Sequence, residues 1–308
     1  KKEKGKEKEK EKGEEEIETN KYIKWYQQPD TCAMIEKAYK GDDLIAQRQW
    51  IIDMGYFKRG QTILDLGCGP GFFVQDIADK LETVTEGETT TSFIGVDVSQ
   101  VMLDAAQRRM EERKKSKEGK NDFNIEFKLG SANSIPVKDG SVDVILLIQV
   151  LLYVPDPTGA MREINRVLKP GGIVLALDTD WDSCTYYTNE REAMKTVRKY
   201  SDRKFHDAHI PPKMPMLFKG GGMKMKKLCT FPLSRFGSFA AGEWFDNTKF
   251  VQMALEEIEK DVTEGKLKED EAKRLREVAG VWKKEQQALS DSGDFFCLAY
   301  RTLSIGEK

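Results

Sequence analysis

The strongest constraint on the fold is a regular alternation of short apolar runs and amphipathic stretches between residues 61 and 178. One of these runs, residues 142–149, is almost continuously apolar, as is typical of a strand buried on both faces. Strands that alternate with helices predict a parallel sheet with helices packed on both of its faces. The predicted fold class is therefore α/β, with a doubly wound, mostly parallel seven-stranded sheet.

Helical patterns flank this alternating region on both sides. Apolar residues such as Trp25, Leu44 and Ile52 form one stripe over residues 22–54, which predicts an N-terminal helical cover. After the last core strand we predict helices at 190–204 and 211–219, and two more within 242–280 that form an insertion before the final strand. Seven strands are predicted. The first begins at residue 61 and runs into a turn that ends at residue 71, and a second turn, at 169–172, precedes the fifth strand. The other six strands are residues 92–98, 123–129, 142–149, 173–178, 227–233 and 295–304.

The charge and cysteine content exclude several classes of function. Lysine plus arginine almost equals aspartate plus glutamate, at a net charge of -2, so the chain lacks the positive field that would hold a nucleic acid. Its five cysteines include no CxxC pair, which indicates reduced thiols and a cytoplasmic protein. We predict no membrane span, because no apolar run approaches the roughly eighteen residues that one needs.

Residues 63–71, with the sequence ILDLGCGPG, are the most informative stretch of the chain. Three alternately spaced glycines stand where a strand turns into a helix, so the backbone can bend tightly and a ligand can lie directly against it. A dinucleotide site favours a further glycine or alanine where this chain has Phe72, which makes NAD a poor fit. Asp65 would repel a pyrophosphate but suits a ligand that carries an ammonium group. Asp97 ends the second predicted strand, where a carboxylate can accept both hydroxyls of a ribose.

These residues closely resemble the class I, Rossmann-like S-adenosylmethionine-dependent methyltransferases, in particular the small-molecule branch that includes quinone-precursor methyltransferases. The resemblance covers about residues 60–178, and the matching motifs are residues 65–71, 95–97, 130–136, 141–143 and 167–172. It implies that the cofactor is S-adenosylmethionine and that the function is methyl transfer to a small-molecule acceptor. The oligomeric state stays open.

The resemblance also implies which residues bind the cofactor. The glycine loop would hold the methionyl part, Asp97 the ribose, residues 131–132 the adenine, and Gln149 would lie beside the methyl group. Where the family usually has aspartate at the adenine position, this chain has Ser131, a weaker acceptor, so backbone groups at Ala132 are expected to hold the ring. The complete predicted set is Tyr26, Asp65, Gly67, Cys68, Gly69, Gly71, Asp97, Val98, Met102, Ser131, Ala132, Asn133 and Gln149.

Methyl transfer from a sulfonium mainly requires that acceptor and methyl group are aligned, so a dedicated base is optional. Where the acceptor loses a proton, the candidate bases are Asp178, Asp180, Tyr153, His206 and His209. The predicted acceptor-binding residues are Trp25, Tyr153 and Trp181, although aromatic residues at helical spacing are also common in packing. We predict no metal site, because the region of His206 and His209 is expected to be a loop and offers no third ligand.

The sequence divides into four predicted regions. Residues 1–20 are a disordered charged tail, 21–56 an N-terminal helical cap, 57–180 the S-adenosylmethionine-binding Rossmann-like core, and 181–308 a substrate-side region with the insertion at about 237–292. The sequence starts at Lys1 rather than at methionine, which leaves an upstream segment open.

Two alternative functions remain at this point. An arsenite methyltransferase would bind the metalloid through cysteine thiolates, for which Cys32, Cys184 and Cys229 are the available candidates. A non-catalytic binding module could use the same fold. Intact Asp65, Gly67, Gly69 and Asp97 count against that second alternative.

Overall fold

The computed structural model of the protein describes residues 21–84, 90–116, 123–238 and 247–308. The predicted charged tail, residues 1–20, lies outside the described residues, as does part of the predicted insertion at 239–246. Within the described ranges, every helix is too short or too polar to cross a lipid bilayer.

The chain folds into an α/β structure in which strands and helices alternate as predicted. The helices are α1 (Lys21–Tyr26), α2 (Pro29–Tyr39), α3 (Asp42–Ile52), α4 (Phe72–Glu82), α5 (Gln100–Ser116), α6 (Pro157–Val167), α7 (Arg191–Ser201), α8 (Met214–Gly220), α9 (Asn247–Thr263) and α10 (Glu269–Ser292). The strands are β1 (Thr62–Leu66), β2 (Thr91–Asp97), β3 (Phe123–Leu129), β4 (Val142–Ile148), β5 (Leu168–Thr179), β6 (Thr185–Tyr186), β7 (Lys224–Gly237) and β8 (Phe295–Glu307).

The strand order is β3-β2-β1-β4-β5-β8-β6, with β7 paired to β8. The first five strands in this order are parallel to their neighbours, which confirms the predicted parallel sheet. Within it Asp65 is aligned with Gly95 of β2 and Leu146 of β4, so β1 lies between two buried strands. The carboxyl ends of β1, β2 and β4 therefore meet at one edge of the sheet, where open α/β sheets bind ligands.

Apolar side chains from the sheet and from the helices on it form the core. Ile63, Phe93 and Leu146 project from three adjacent strands and pack with Phe73 and Ile77 of α4. Such burial stabilises a fold by roughly 1.5–3 kcal/mol for each large apolar side chain. The core thus fixes the positions of the strand ends on which the predicted ligand-binding residues lie.

Two local features differ from the prediction. The segment 169–172, expected to be a turn before a strand, belongs to β5, and the pairing register with β4 jumps there from Leu168 to Ile173. Gly171, at a φ of 76°, donates its amide to the carbonyl of Lys308, the residue that follows β8, and the Lys308 amide donates to the Gly172 carbonyl. These contacts with the distant end of the chain keep the bulge within the sheet. The described residues also form eight strands, where the sequence predicted seven. The additional strand is β6, which has only two residues and is too short to produce a periodic signal.

The chain forms two compact units. Among the described residues, the first comprises those within 21–178, 211–229 and 302–308, and it contains the parallel sheet and helices α1 to α3. The second comprises residues 179–210 and 230–301. In this second unit α7, α9 and α10 pack on one another, and Tyr186 of β6 pairs antiparallel with Cys297 of β8.

Candidate active site

The loop between β1 and α4 bends at its three glycines. Gly67, Gly69 and Gly71 have φ angles of 74°, 51° and 78°, a left-handed conformation that is unfavourable for residues with a side chain. The amides of Gly67 and Cys68 both donate to the Val96 carbonyl of β2, at 2.7 and 3.0 Å. The loop is therefore anchored to the neighbouring strand.

The three glycines differ in what surrounds them. A Cβ at Gly67 would lie 2.5 Å from Cγ2 of Val150, and one at Gly71 would lie 2.9 Å from Cβ of Ala106. At Gly69 the same atom would meet nothing within 4 Å. Gly67 and Gly71 are thus required for close packing, whereas Gly69 borders open space that a ligand can use.

Asp97, at the end of β2, holds the loop in place through its carboxylate. The Gly69 amide donates to Oδ2 at 2.8 Å, and the Ser99 amide donates to Oδ1 at 2.9 Å. Burial raises the pKa of Asp97 to about 6, while hydrogen bonds from the amides of Gly69, Ser99 and Val98 oppose the rise. Three amides therefore occupy three of the roughly four acceptor positions of this carboxylate, and one position remains for a ligand hydroxyl.

Asp65 is the second buried carboxylate at this strand edge. Its side chain is buried, and among the described residues its Oδ2 has no hydrogen-bond partner. Burial, and after it the neighbouring charge of Asp97, raise the pKa of Asp65 to about 8. A buried carboxylate oxygen without a partner is costly, so a cationic or hydrogen-donating ligand at Oδ2 would stabilise the charged form.

The residues predicted to border the adenine form a tight turn after β3. Ser131 pairs with Ser134 in an isolated antiparallel bridge, and the Gly130 amide donates to the Asp97 carbonyl at 3.0 Å. Within the described part of the chain, Oγ of Ser131 is buried without a hydrogen-bond partner. The Asn133 side chain instead donates to the Asp156 carbonyl at 2.7 Å, which ties this turn to the start of α6.

Gln149 follows β4 with a φ of 58°, a value that non-glycine residues rarely adopt. Its amide donates to the Leu177 carbonyl of β5 at 2.7 Å, which keeps the strained backbone in register. Strain of this kind costs roughly 1–3 kcal/mol and concentrates at functional sites. Gln149 thus lies at the carboxyl end of β4, and its role beside the methyl group stays a prediction.

The N-terminal helices contact the same edge through Tyr26. Its ring packs edge-on against Tyr153 with 5.3 Å between the ring centroids, and burial and Tyr153 raise the pKa of Tyr26. Ser99 donates through Oγ to the Tyr26 carbonyl at 2.8 Å and also caps α5 by accepting from the Met102 amide. Gln27 donates through Nε2 to the Val98 carbonyl at 3.0 Å. The predicted residues Tyr26, Val98, Met102 and Tyr153 thus belong to one connected region, and Trp25 lies beside Tyr26 but is exposed.

The candidate bases divide between the two units. Asp178 and Tyr153 belong to the first unit, in which Asp178 is buried near the end of β5. Asp180, His206 and His209 belong to the second unit, in which Nδ1 of His209 lies 3.2 Å from Oδ1 of Asp180. The two histidines occupy a loop, as expected, between the short 3-10 turns Asp202–Lys204 and Pro211–Lys213. Their catalytic role stays a prediction.

Two other features of the second unit bear on the predicted site. Trp181 is buried, with its ring stacked on Phe205 and the Arg198 guanidinium 5.3 Å from its centroid. Oxygen and nitrogen atoms of Asp182, Asp202 and His209 lie within 4.8 Å of one another, an arrangement that can hold a cation, although Asp202 is already ion-paired with Arg198. The expectation that the protein binds no metal stays a prediction.

The cysteine environments disfavour a metalloid site. Burial raises the pKa of Cys32, and it raises that of Cys184 to about 11. Since the thiolate is the ligand form of cysteine, burial makes both groups weaker ligands than an exposed cysteine.

A family model described as a methyltransferase domain matches residues 57–227, which is more than half of the chain. The chain belongs to this methyltransferase family. The match confirms the resemblance to class I, Rossmann-like S-adenosylmethionine-dependent methyltransferases that the sequence motifs indicated.

Individual relatives agree with the family assignment. An uncharacterized methyltransferase of Schizosaccharomyces pombe is 37% identical over 137 residues, which are 44% of this chain and 46% of that protein. Demethylmenaquinone methyltransferase of Lactococcus lactis is 34% identical over 128 residues, or 42% of this chain and 46% of the relative. The chain therefore spans about half the length of these curated relatives.

A solved structure shows that the likeness extends to the fold. Phosphoethanolamine N-methyltransferase 2 of Haemonchus contortus, in complex with phosphomonomethylethanolamine and S-adenosylhomocysteine, matches with a TM-score of 0.53 at 17% identity. The match covers 91% of this chain and 57% of the other.

Sequence reasoning missed several residues that shape the candidate site. Arg109 of α5 donates through Nε to the Pro70 carbonyl in the glycine loop at 2.8 Å. Ser99 and Gln27 connect the N-terminal helices to the end of β2. Nothing in the local sequence distinguishes Arg109 from the exposed charged residues around it, because its partner lies 39 positions away.

Proposed function

We propose that this chain transfers a methyl group from S-adenosylmethionine to a small-molecule acceptor. The observation that carries the proposal is the pair of buried carboxylates, Asp65 and Asp97, on either side of a glycine loop with open space at Gly69.

The site fits S-adenosylmethionine better than a dinucleotide. The ammonium of the methionyl group would supply the partner that Oδ2 of Asp65 lacks among the described residues. A ribose hydroxyl would use the remaining acceptor position of Asp97. A pyrophosphate at the same loop would be repelled by the ionised Asp97, and it offers no ammonium for Oδ2 of Asp65.

Further residues of this chain would complete the binding site. Ser131 and Ala132 would border the adenine, where the buried Oγ of Ser131 offers a hydrogen-bonding group. Gln149 would lie beside the methionyl group, and Val98 and Met102 would enclose the nucleoside from the start of α5. When bound, the cofactor supplies a methyl group on a sulfonium, which is already activated for displacement.

The chain's own contribution to the reaction is positioning. Aligning acceptor and methyl group can account for roughly 7–11 kcal/mol of a reaction barrier. The packed rings of Tyr26 and Tyr153 would exclude water and orient the acceptor. Where the methyl acceptor gives up a proton, Asp178 and Tyr153 are the candidate bases in the first unit.

Two observations support a small-molecule acceptor. The near balance of charges, at a net -2, provides no general attraction for nucleic acids. The relative from Lactococcus lactis is named demethylmenaquinone methyltransferase, after an acceptor that is neither a protein nor a nucleic acid. Both favour a compact acceptor over a polymer.

Calorimetric titration of the purified protein with S-adenosylhomocysteine tests the cofactor. We expect one binding site in the wild-type protein and none in the Asp97→Ala variant. A control variant, Asp53→Asn, changes a carboxylate that is ion-paired with Lys80 on the surface, and it should bind like wild type. Binding of NADH in place of S-adenosylhomocysteine would refute the proposal.

Incubation with methyl-tritiated S-adenosylmethionine tests the acceptor. Fractionated extracts separate small metabolites, proteins and RNA before the label is counted. We expect enzyme-dependent label in the small-metabolite fraction. Label confined to the protein or RNA fraction would contradict the acceptor class while leaving the cofactor assignment intact.

A further inference from the structure

The Arg109 guanidinium contacts four groups from three different parts of the first unit. Nε donates to the Pro70 carbonyl at 2.8 Å, Nη1 to Oε1 of Gln75 at 3.4 Å, and Nη2 to Oε1 of Glu36 at 2.8 Å. Its carbon Cζ also lies 3.6 Å from the centroid of the Phe72 ring. All three nitrogens of the planar group are therefore engaged.

Two of these contacts act on the glycine loop. Pro70 stands between Gly69, which borders the open ligand space, and Gly71, the residue before α4. Phe72 is the first residue of α4, so the guanidinium holds the loop at its carbonyl and at the ring that follows it. Arginine suits this position because its rigid fork donates in several directions at once and remains charged.

The contact of Arg109 with Glu36 connects the loop to the N-terminal helices. Glu36 belongs to α2, which packs on α5, and the Arg109 and Glu36 side chains are only 15% and 32% exposed. At such partial burial an ion pair with hydrogen bonds is screened less than an exposed pair. Helix α2 and the glycine loop therefore share one side chain as a partner.

We propose that Arg109 is a positioning residue that couples the docking of α2 to the ligand-binding conformation of the glycine loop. A ligand that orders the loop strengthens the attachment of α2, and an attached α2 raises the affinity for the ligand. The two effects must be equal in size, because ligand binding and α2 docking both favour the same conformation of the glycine loop and are thermodynamically linked. The inference rests on the proposed function only in that the ligand of the loop is S-adenosylmethionine.

The first test measures affinity for S-adenosylhomocysteine by calorimetry, which needs no acceptor. Arg109→Met keeps the length of the side chain but removes all donors, and we expect it to weaken binding at least about fivefold. Arg108→Met is the matched control, because Arg108 is the exposed neighbour on the same helix. It should bind as tightly as wild type.

The second test measures hydrogen exchange of the α2 amides with and without S-adenosylhomocysteine. In the wild type and in Arg108→Met the ligand should slow exchange in α2. In Arg109→Met and in Glu36→Gln this slowing should disappear. A residue that only stabilised the fold would change exchange equally in both ligand states.

Arg109→Lys adds a rescue experiment. Lysine retains the charge and can still pair with Glu36, but it cannot donate to Glu36 and Pro70 with the same planar fork. We expect intermediate affinity and partial slowing. Should Arg109→Met fail to fold, Arg109→Lys and Glu36→Gln carry the test.

The outcomes separate the two proposals. Absence of S-adenosylhomocysteine binding in the wild type would refute the proposed function. Wild-type binding with unchanged affinity in Arg109→Met would refute the positioning role alone. Weakened binding in that variant with ligand-dependent slowing in α2 still intact would show that Arg109 holds the loop without coupling it to α2, which also overturns the inference.

Discussion

The backbone amide of Gly69 donates a 2.8 Å hydrogen bond to Oδ2 of Asp97, across 28 positions of sequence. This contact makes one carboxylate responsible for both the shape of the glycine loop and the end of β2. The two features that the sequence motifs suggested separately are thus one structural unit.

We expect Asp97→Asn to weaken binding of S-adenosylhomocysteine roughly tenfold to a hundredfold, as measured by calorimetry. An asparagine carbonyl can accept from only one side, so its amino group would face the amide of Gly69 or of Ser99. Asp156→Asn is the control, because Asp156 accepts an amide hydrogen bond from Gly159 at the start of α6. Equal affinities of the two variants would contradict the role of Asp97.

We expect the ligand-free Asp65→Asn variant to be more stable than the wild type near pH 8. The same variant should bind the ligand more weakly than the wild type. Because the pKa of Asp65 is raised from 3.8 to about 8 on folding, the folded state binds more protons than the unfolded state between these values. The wild type therefore loses stability as pH increases across this window, and the asparagine variant loses less. Thermal unfolding between about pH 5 and pH 8 should show a flatter pH dependence for the variant, by at least about 2–4 °C at pH 8.

Asp143→Asn is the contrasting control for Asp65→Asn, because it should lower stability without changing ligand affinity. Asp143 accepts from the Thr62 amide at 2.8 Å and from Nζ of Lys169, at the amino end of β4. Its loss should lower the free energy of unfolding by about 1 kcal/mol and leave ligand affinity unchanged. A loss of affinity in this variant would show that the Asp65 effect is not specific to the ligand edge.

We expect Gly69→Ala to reduce ligand affinity at least about tenfold with only a modest loss of stability. The added Cβ meets no protein atom within 4 Å, so it projects into space that the ligand needs. Gly55→Ala is the matched control, since Gly55 also has a positive φ and open surroundings but lies on the surface before β1. Both variants should lose about 1–2 kcal/mol from backbone strain, measured by chemical denaturation, and Gly55→Ala should retain full affinity.

A comparison of Gln149→Gly with Gln149→Ala isolates the strain at this position. Both variants lack the side chain, and they differ only in the ease with which the backbone adopts a φ of 58°. We expect the glycine variant to be more stable by about 1 kcal/mol, whereas at ordinary positions alanine is the more stable residue. Denaturant titrations that rank alanine above glycine would show that the backbone is relaxed.

Local sequence was sufficient to predict the parallel strands and the glycine loop. The apolar run of β4 and the closely spaced Gly67, Gly69 and Gly71 carry their signal within a few residues, because burial on both faces and left-handed backbone each restrict residue type directly. The bulge at 169–172 and the two-residue strand β6 were missed because each depends on pairing with distant β8.

Tertiary contacts decided which polar side chains serve the site. Arg109 and Glu36 are separated by 73 positions, and Gln27 lies 71 positions from Val98, whose carbonyl it contacts. In sequence Arg109, Glu36 and Gln27 are ordinary polar residues of predicted helices. Periodicity reveals which face of a helix is apolar, but not which charged residue at the margin of that face reaches a loop on another element. That choice arises only when packed helices bring a donor within hydrogen-bond distance of a carbonyl with which it shares no local sequence.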